Sequence, residues 1–174
     1  MSIVKNLSRA ALVCVAIAAT AAMAKQPSPT AVFNFGLDDT SLQGQEAPSP
    51  VDQQQRLQDL DVQLRDLLVK SGCCSLVDTA PVAQQERAID AWKCNGCDVD
   101  LARKVGARIS VTGWVQKVSN LILNINLVAR DVTTGQVLSA GSVDIRGNTS
   151  ESWSRGLSYL LKDRLHPANW RVGQ

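Results

Sequence analysis

Val111-Thr-Gly-Trp-Val-Gln-Lys-Val-Ser-Asn120, Leu121-Ile-Leu-Asn-Ile-Asn-Leu-Val-Ala-Arg-Asp131 and Val137-Leu-Ser-Ala-Gly-Ser-Val-Asp-Ile-Arg-Gly147 follow one another with Thr133-Thr-Gly-Gln136 between the last two. In the middle run Leu121, Leu123, Ile125 and Leu127 fall on one side of a two-residue period and Asn124 and Asn126 on the other, the pattern of a strand with one buried face. The stretch Arg108 to Gly147 therefore predicts a three-stranded antiparallel meander, and the remaining chain has to supply the layer that covers it.

Upstream of the meander, Ala31-Val-Phe-Asn-Phe-Gly36 is a short apolar run that predicts a first strand buried on both faces. Leu37 to Pro50 has no apolar period and carries Asp38, Asp39, Gly44, Pro48 and Pro50, so a loop is expected there. Asp52 with Gln55 three residues on reads as a capping box opening a helix, with Leu57, Leu60, Leu64, Leu67 and Leu68 at helical spacing and Ser71-Gly72 as its stop. Cys73 to Asp78 predicts a second strand. Pro81 opens a short helix with Val82, Ala88, Ile89 and Trp92 inward and Gln84, Gln85, Glu86 and Arg87 outward. Asp98 is expected to cap another helix, with Leu101, Ala102 and Val105 apolar and Gly106 as its end.

Downstream, Asn148-Thr-Ser-Glu151 is a further capping-box pattern. The helix it opens carries Trp153, Leu157, Leu160, Leu161 and Leu165 in one stripe and ends at His166-Pro167. The order of elements predicts an α/β (α+β) fold: one small domain over 31–167, a mixed sheet with the meander at its C-terminal side, and helices packed on it. Residues 25–30 are expected to be a polar lead-in and 168–174 a tail in which Trp170 packs back.

The first 24 residues read as a secretory signal peptide. Lys5 and Arg9 make a positive start, Ala10 to Thr20 is apolar, and Ala22-Met-Ala24 is a small-x-small cleavage site, so cleavage after Ala24 and a periplasmic, soluble mature protein are expected. Lipidation at Cys14 is disfavoured, because Val13 precedes it and it lies within the apolar run. No later stretch is long and apolar enough to be a membrane segment. The chain has 18 Lys and Arg against 16 Asp and Glu; losing Lys5 and Arg9 leaves sixteen of each sign. Charges of both signs are interspersed along the helices, which argues against nucleic acid as a partner.

Cys73, Cys74, Cys94 and Cys97 are an even set in an exported chain, which favours disulfides. A local Cys94–Cys97 bridge and a long-range bridge from Cys73 or Cys74 are equally admissible. If Cys73 and Cys74 lie on a strand they point to opposite faces, so only one of them easily meets the turn. Cys94-Asn-Gly-Cys97 ahead of a helix is also the placement of a redox-active pair, although the segment before it reads as helix where a thioredoxin has a strand. Zinc is the third option, and adjacent cysteines chelate poorly. Covalent haem is excluded by Asp98 where a histidine is required.

Several landmarks resemble a known domain class. Ala31-Val-Phe-Asn-Phe35, a long helix, Leu76-Val-Asp78, Ala102 with Val105-Gly-Ala107, the strand Ser110-Val-Thr-Gly113 and the turn Asp131-Val-Thr-Thr-Gly-Gln-Val137 are similar to the α/β domain shared by the TolB amino-terminal region and the curli secretion protein CsgG. Cys94-Asn-Gly-Cys97, Trp114-Val-Gln-Lys-Val-Ser-Asn-Leu-Ile-Leu-Asn124, Arg146-Gly-Asn148 and Ser152-Trp153 resemble a family of small secreted bacterial proteins of unknown function. The resemblance implies a periplasmic, non-enzymatic module that binds another protein or an envelope component, and it carries over no catalytic residue. As an alternative it implies an accessory of periplasmic quinoprotein alcohol oxidation. Four mature cysteines, with neither a propeller nor a pore-forming segment, set this chain apart from TolB and CsgG.

No residue is assigned to catalysis, to a metal or to a cofactor. His166, the single histidine, is read as a helix-end residue, and Asp38, Asp39, Asp98 and Asp100 as caps and turns. Asn148-Thr-Ser150 matches a glycosylation sequon but is accounted for by capping. The candidate binding surface is Trp114, Lys117, Asn120, Asn124, Asn126, Arg146 and Trp153, which bring aromatic and polar groups together in the meander and the loop after it. The function expected is contact with a periplasmic or envelope protein; the alternative of a different class is a thiol-disulfide accessory using Cys94 and Cys97.

Overall fold

The meander forms where the alternation puts it: β4 (Ile109–Lys117), β5 (Ile122–Asp131) and β6 (Val137–Arg146) pair antiparallel in sequence order. We describe the chain from a computed structural model covering residues 26–42, 44 and 51–173. The expected signal peptide, Cys14 and most of the loop after Leu42 lie outside the described residues. Leu123, Ile125 and Leu127 are buried as the period requires, whereas Leu121 is 72% exposed because it belongs to the turn before β5. At the other turn the buried Asp131 carboxylate accepts the amides of Thr133 (2.7 Å) and Thr134 (3.1 Å), and Gly135 takes the left-handed φ of +74° that closes the hairpin.

Three further strands, paired in parallel, complete the sheet on the β4 side. Strands β1 (Ser28–Val32) and β2 (Gly36–Asp39) both run parallel to β4, one after the other in a single column, and β3 (Cys74–Leu76) lies outside β1. The sheet is thus mixed and six-stranded, in the order β3-β1-β4-β5-β6 with β2 on β4. Two expectations change here. The lead-in is already strand at Ser28, and Leu37 to Asp39, expected in the loop for want of an apolar period, belong with Gly36 to a strand because the backbone continues the parallel ladder.

One face of the sheet is covered along its length by helices α1 (Val51–Lys70) and α4 (Ser150–Tyr159), the latter continued by a π-helical turn, Leu160–Leu165. Leu57, Leu60, Leu64 and Leu68 of α1, Trp153 and Leu157 of α4 and Leu160 of the turn that continues it meet Val111, Val115, Leu123, Ile125 and Leu127 there. Gln63 of α1 donates to Ser154 O (3.0 Å) and Ser158 Oγ (2.9 Å), fixing the helices side by side. The other face carries a smaller core, in which Ala31, Phe33 and Val132 pack with Val99, Leu101 and Ala102 of α3 (Cys97–Lys104). Helix α2 (Ala83–Ile89) sits beside α3. No helix of the described residues is long and apolar enough to cross a membrane.

The helix boundaries depart from the expected caps, earlier for α1 and α3 and later for α4. Asp52 lies inside the first turn of α1, paired with Arg56 at 2.6 Å, and Gln55 bonds Asp59 instead of reaching back. The cap of α4 is Thr149, exchanging bonds with Ser152, one residue later than the Asn148 and Glu151 pattern suggests. Gly96 precedes α3, and Asp98 is buried, bonded to Ser110 Oγ and 3.7 Å from Arg130 Nε. Around α2, Val82 is buried and Gln84, Gln85 and Arg87 are exposed as expected, but Glu86 is buried while Ala88 and Ile89 are exposed. Residues 168–173 fold back on the domain, with Trp170 Nε1 donating to Leu165 O (3.1 Å) and the Gly173 amide to Asp131 (2.7 Å). Burial pushes the Asp131 carboxyl up, but the amides of Gly173, Thr134 and Thr133 and the nearby Arg108 outweigh it and hold the group below the usual carboxylate range.

Lys117 and Asp39 are cross-strand partners in β4 and β2 and form a buried ion pair at 2.9 Å on the α1 side. Ser41, through both its amide and its hydroxyl, and Gln53 also bond the carboxylate. Lys117→Met should leave that carboxylate buried without its cation and lower the unfolding free energy by about 3 kcal/mol in urea titrations. Adding Asp39→Leu should restore most of the loss; a double variant no more stable than the single one would show that the pair itself is needed.

Candidate functional site

Three residues of the first column, Phe33 to Phe35, stand opposite two of β4, Thr112 and Gly113, between the registers Val32 with Val111 and Gly36 with Trp114. This bulge frees two backbone amides. The Asn34 amide donates to Glu86 Oε1 of α2 (2.6 Å) and the Phe35 amide to Asp61 Oδ1 of α1 (2.7 Å). Arg65, one turn after Asp61, donates to Val32 O and to Asn34 Oδ1, both at 2.9 Å. Two carboxylates and a guanidinium from two helices thus clamp the irregular backbone.

Burial is the largest influence on both carboxyls and pushes them up. The Phe35 amide and Arg65 work against it at Asp61, Glu86 works with it, and the group settles at about 6. Glu86 is likewise raised, with the Asn34 amide, Arg65 and Arg87 opposing. These acids serve as acceptors for the main chain. Among the described residues no three His, Cys, Asp or Glu side chains converge as metal ligands, and His166 stands exposed at a helix end with a left-handed φ of 45°.

Beside the bulge the chain from Asp90 to Cys97 folds over the sheet face that carries the smaller core. Trp92 stacks on Trp114 of β4 with centroids 5.9 Å apart, and Lys93 stands over the Trp92 ring at 4.8 Å while pairing with Asp90 at 3.0 Å. Asn95 accepts from Arg130 of β5 at 2.6 Å. Gly36 is required beneath Trp92, since a Cβ there would collide with the indole. A cleft of about 130 Å³ opens between Asn34, Gly36, Glu86, Asp90 and Trp92. Cys94 is paired with Cys97, the first residue of α3, their Cα atoms 5.6 Å apart, and Cys73 is paired with its neighbour Cys74. The structure has no long-range bridge between the two pairs. Cys73 precedes β3 instead of lying on it, and both Cys73 and Cys74 are buried in the larger core.

Four of the seven candidate surface residues share one face. Trp114 is directly opposite Asn126, and Ile122 directly opposite Arg146, so Trp114, Asn124, Asn126 and Arg146 all lie on the side away from α1 and α4. Asn124 donates to Asp144 at 2.8 Å on that face. The other three do not join them. Lys117 is buried on the opposite face, Trp153 is 1% exposed in the larger core, and Asn120 lies in the turn before β5, accepting from Asn148. The period of two, applied from Trp114 rather than from the run of polar residues, separates Lys117 from the set. Trp92, Glu86 and Asp61 carry no site signal in the sequence: the first two read as the inner and outer faces of a helix, and nothing marks the bulge that recruits the acids.

The chain belongs to the family described as "Protein of unknown function (DUF2380)", whose pattern matches residues 28–165. No match is found among curated proteins. The structure is similar to the C-terminal domain of LpoB from Salmonella enterica, with a TM-score of 0.51 and 14% identity over 72% of this chain and 87% of that one. It is also similar to the PelC dodecamer from Paraburkholderia phytofirmans, with a TM-score of 0.53 and 13% identity over 84% and 90%. At these identities the likeness is one of fold.

With a folded-state value of about 6 against 3.8 for an ordinary aspartate, Asp61 keeps a proton in the folded chain that the unfolded chain has released. Its contribution to stability is full below about pH 3.8 and is lost as pH rises toward 6. Asp61→Asn keeps an acceptor oxygen for the Phe35 amide and has no charge to titrate. The stability difference between variant and parent, followed by urea unfolding from pH 4 to 7, should therefore shift in the variant's favour across that window; a flat difference would remove Asp61 as the titrating group. Gly36→Ala should unseat Trp92 from Trp114, visible as a changed near-ultraviolet circular dichroism, and cost about 1–3 kcal/mol.

Proposed function

We propose that this family member is a non-enzymatic module of the cell envelope that works by binding another protein through the uncovered part of its sheet. Export to the periplasm is part of the proposal and rests on the signal-like first 24 residues. The observation that carries it is the unequal covering of the sheet. Helices α1 and α4 close one face, while on the other α2, α3 and the Trp92 loop cover β1, β4 and the Arg130 end of β5, leaving the rest of β5 and β6 open. Asn124, Asn126 and Arg146 line the face left over and Trp114, under Trp92, borders it, a mixture of aromatic, amide and guanidinium groups of the kind that anchors protein contacts. The fold likeness supports the same use, since PelC carries this architecture in a dodecamer and so forms protein contacts with it.

A photo-crosslinking amino acid placed at Asn126 in the exported protein should capture one discrete envelope partner in living cells, and the same residue at Gln58 on the outer side of α1 should not. Equal capture from both positions, or none from Asn126, would sink this assignment of the surface.

A second reading has its own observation: Cys97 opens α3 and Cys94 lies against it. If the pair exchanges with dithiols, the purified protein should catalyse reduction of a disulfide substrate, and Cys94→Ser should abolish it. With the pair serving only to hold the Trp92 loop, neither effect is expected, and Cys94→Ser with Cys97→Ser should lower stability by about 2–3 kcal/mol in urea unfolding.

A further inference from the structure

We infer that the outer edge of β6 is a strand-addition site for an extended, acidic segment of the partner protein; this rests on the protein-binding reading above and assigns that partner a chemistry and a docking line. Strand β6 ends the sheet, and its ten residues span about 33 Å. Among the described residues nothing pairs with its outer side, so alternate residues present their amides and carbonyls outward. Long edges are ordinarily blunted by proline, lysine, a bulge or a covering loop. β6 contains neither proline nor lysine, and the register shift in its ladder lies at its very start, opposite Ala129 and Arg130. The opposite edge of the sheet, β3, is only three residues long.

A second, independent feature lies at the beginning of the same edge. The C-terminal segment folds back there and leaves a cavity of about 270 Å³ bounded by Gln136, Val137 and Leu138 on one side and Asn169, Trp170 and Arg171 on the other. A side chain of an added strand would enter it while the main chain pairs with β6, the arrangement by which sheet edges read peptides.

Charge selects the occupant. Arg171 stands exposed beside the start of β6, its Nη1 donating only to the carbonyls of Ala168 and Trp170 at 3.2 Å, and Arg146 stands exposed at the end. Among the described residues neither forms an ion pair. Asp144, the one acid on the strand, is engaged by Asn124. A segment with carboxylates near both ends, some nine residues apart, satisfies both cations. A second copy of this chain does not. Two-fold pairing of β6 with itself over most of its length sets Arg146 against Leu138 or Ala140, next to the Arg171 end, and so brings like charges together at both ends.

The test uses the purified mature protein and a blocked ten-residue peptide of alternating valine and threonine with a glutamate at each end. Amide hydrogen exchange should slow at alternate residues of 137–146 when this peptide is added. Replacing both glutamates by lysine, or the protein's Arg146→Glu and Arg171→Glu together, should weaken binding at least tenfold. N-methylation of the peptide's pairing amides should abolish it, which mere charge attraction would survive. Absence of protection on β6 at millimolar peptide, protection confined to the Trp114 face, or self-association through β6 in sedimentation would each overturn the inference. Crosslinking from Asn126 that persists while β6 stays unprotected would overturn the edge site alone, whereas loss of both would overturn the protein-binding reading with it.

Discussion

The amides released at Phe33 to Phe35 tie the two helical layers to the sheet. An unmet buried amide costs about 1–3 kcal/mol, so a strand with three residues against two is tolerable only where acceptors are supplied. Asp61 arrives from the layer on one face and Glu86 from the other, each taking one amide. The bulge also changes the parity of the strand. Before it Val32 faces the larger core and Ala31 and Phe33 the smaller; after it Phe35 and Leu37 face the larger core and Asp39 meets Lys117 there. Without the extra residue Asp39 would lie on the other side of the sheet from Lys117, and a buried ammonium would be left without its counterion.

What was legible in the sequence follows from which interactions are local. The meander, the α1 stripe and the α4 stripe declare themselves because each has a repeating side-chain period and a turn or stop encoded nearby. Thr133 to Gln136 closes a hairpin with its own residues and with Asp131, and Leu57 to Leu68 needs only helical spacing to find one face. The features that escaped depend on distant partners. Gly36 to Asp39 has no strand composition and becomes strand only because β4 offers a parallel ladder. Glu86 is polar and reads as outward, yet a backbone amide more than fifty residues earlier draws it in. Asp98 looks like a cap and instead meets Ser110 and Arg130. The move of the α4 cap from Asn148 to Thr149 reflects the same limit, since several of the polar residues that flank a helix can satisfy its first turn.

The candidate surface shows the same division. Trp114, Asn124, Asn126 and Arg146 come together because pairing register puts directly opposed residues on one face, a regularity present in the sequence once strand and turn are placed. Lys117 and Trp153 looked like surface residues because of their chemistry, but one faces the helical layer and the other heads the α4 stripe. The Trp92 loop joins the surface through a left-handed Asp90, a glycine that leaves room for the indole, and a paired Cys94 and Cys97. None of these has a periodic signature, which is why the aromatic pair emerges only in three dimensions.

The parallel pairing of β1 with β4 also sets an order of events during folding. Thr30 pairs with Ile109 and Ser28 with Cys74, so β1 acquires its first strand neighbour only when β3 exists and its second only after β4 has been made. The roughly eighty residues between Thr30 and Ile109 make this a costlier loop to close than the short turns of the meander. Until β4 is in place Ala31 to Phe35 is an apolar segment paired at most through β3, whereas the meander needs only its own turns. Of the pairings in the sheet, that of β1 with β4 is therefore expected to form late in folding. The acids that later clamp its bulge can ionise freely in water until it arrives.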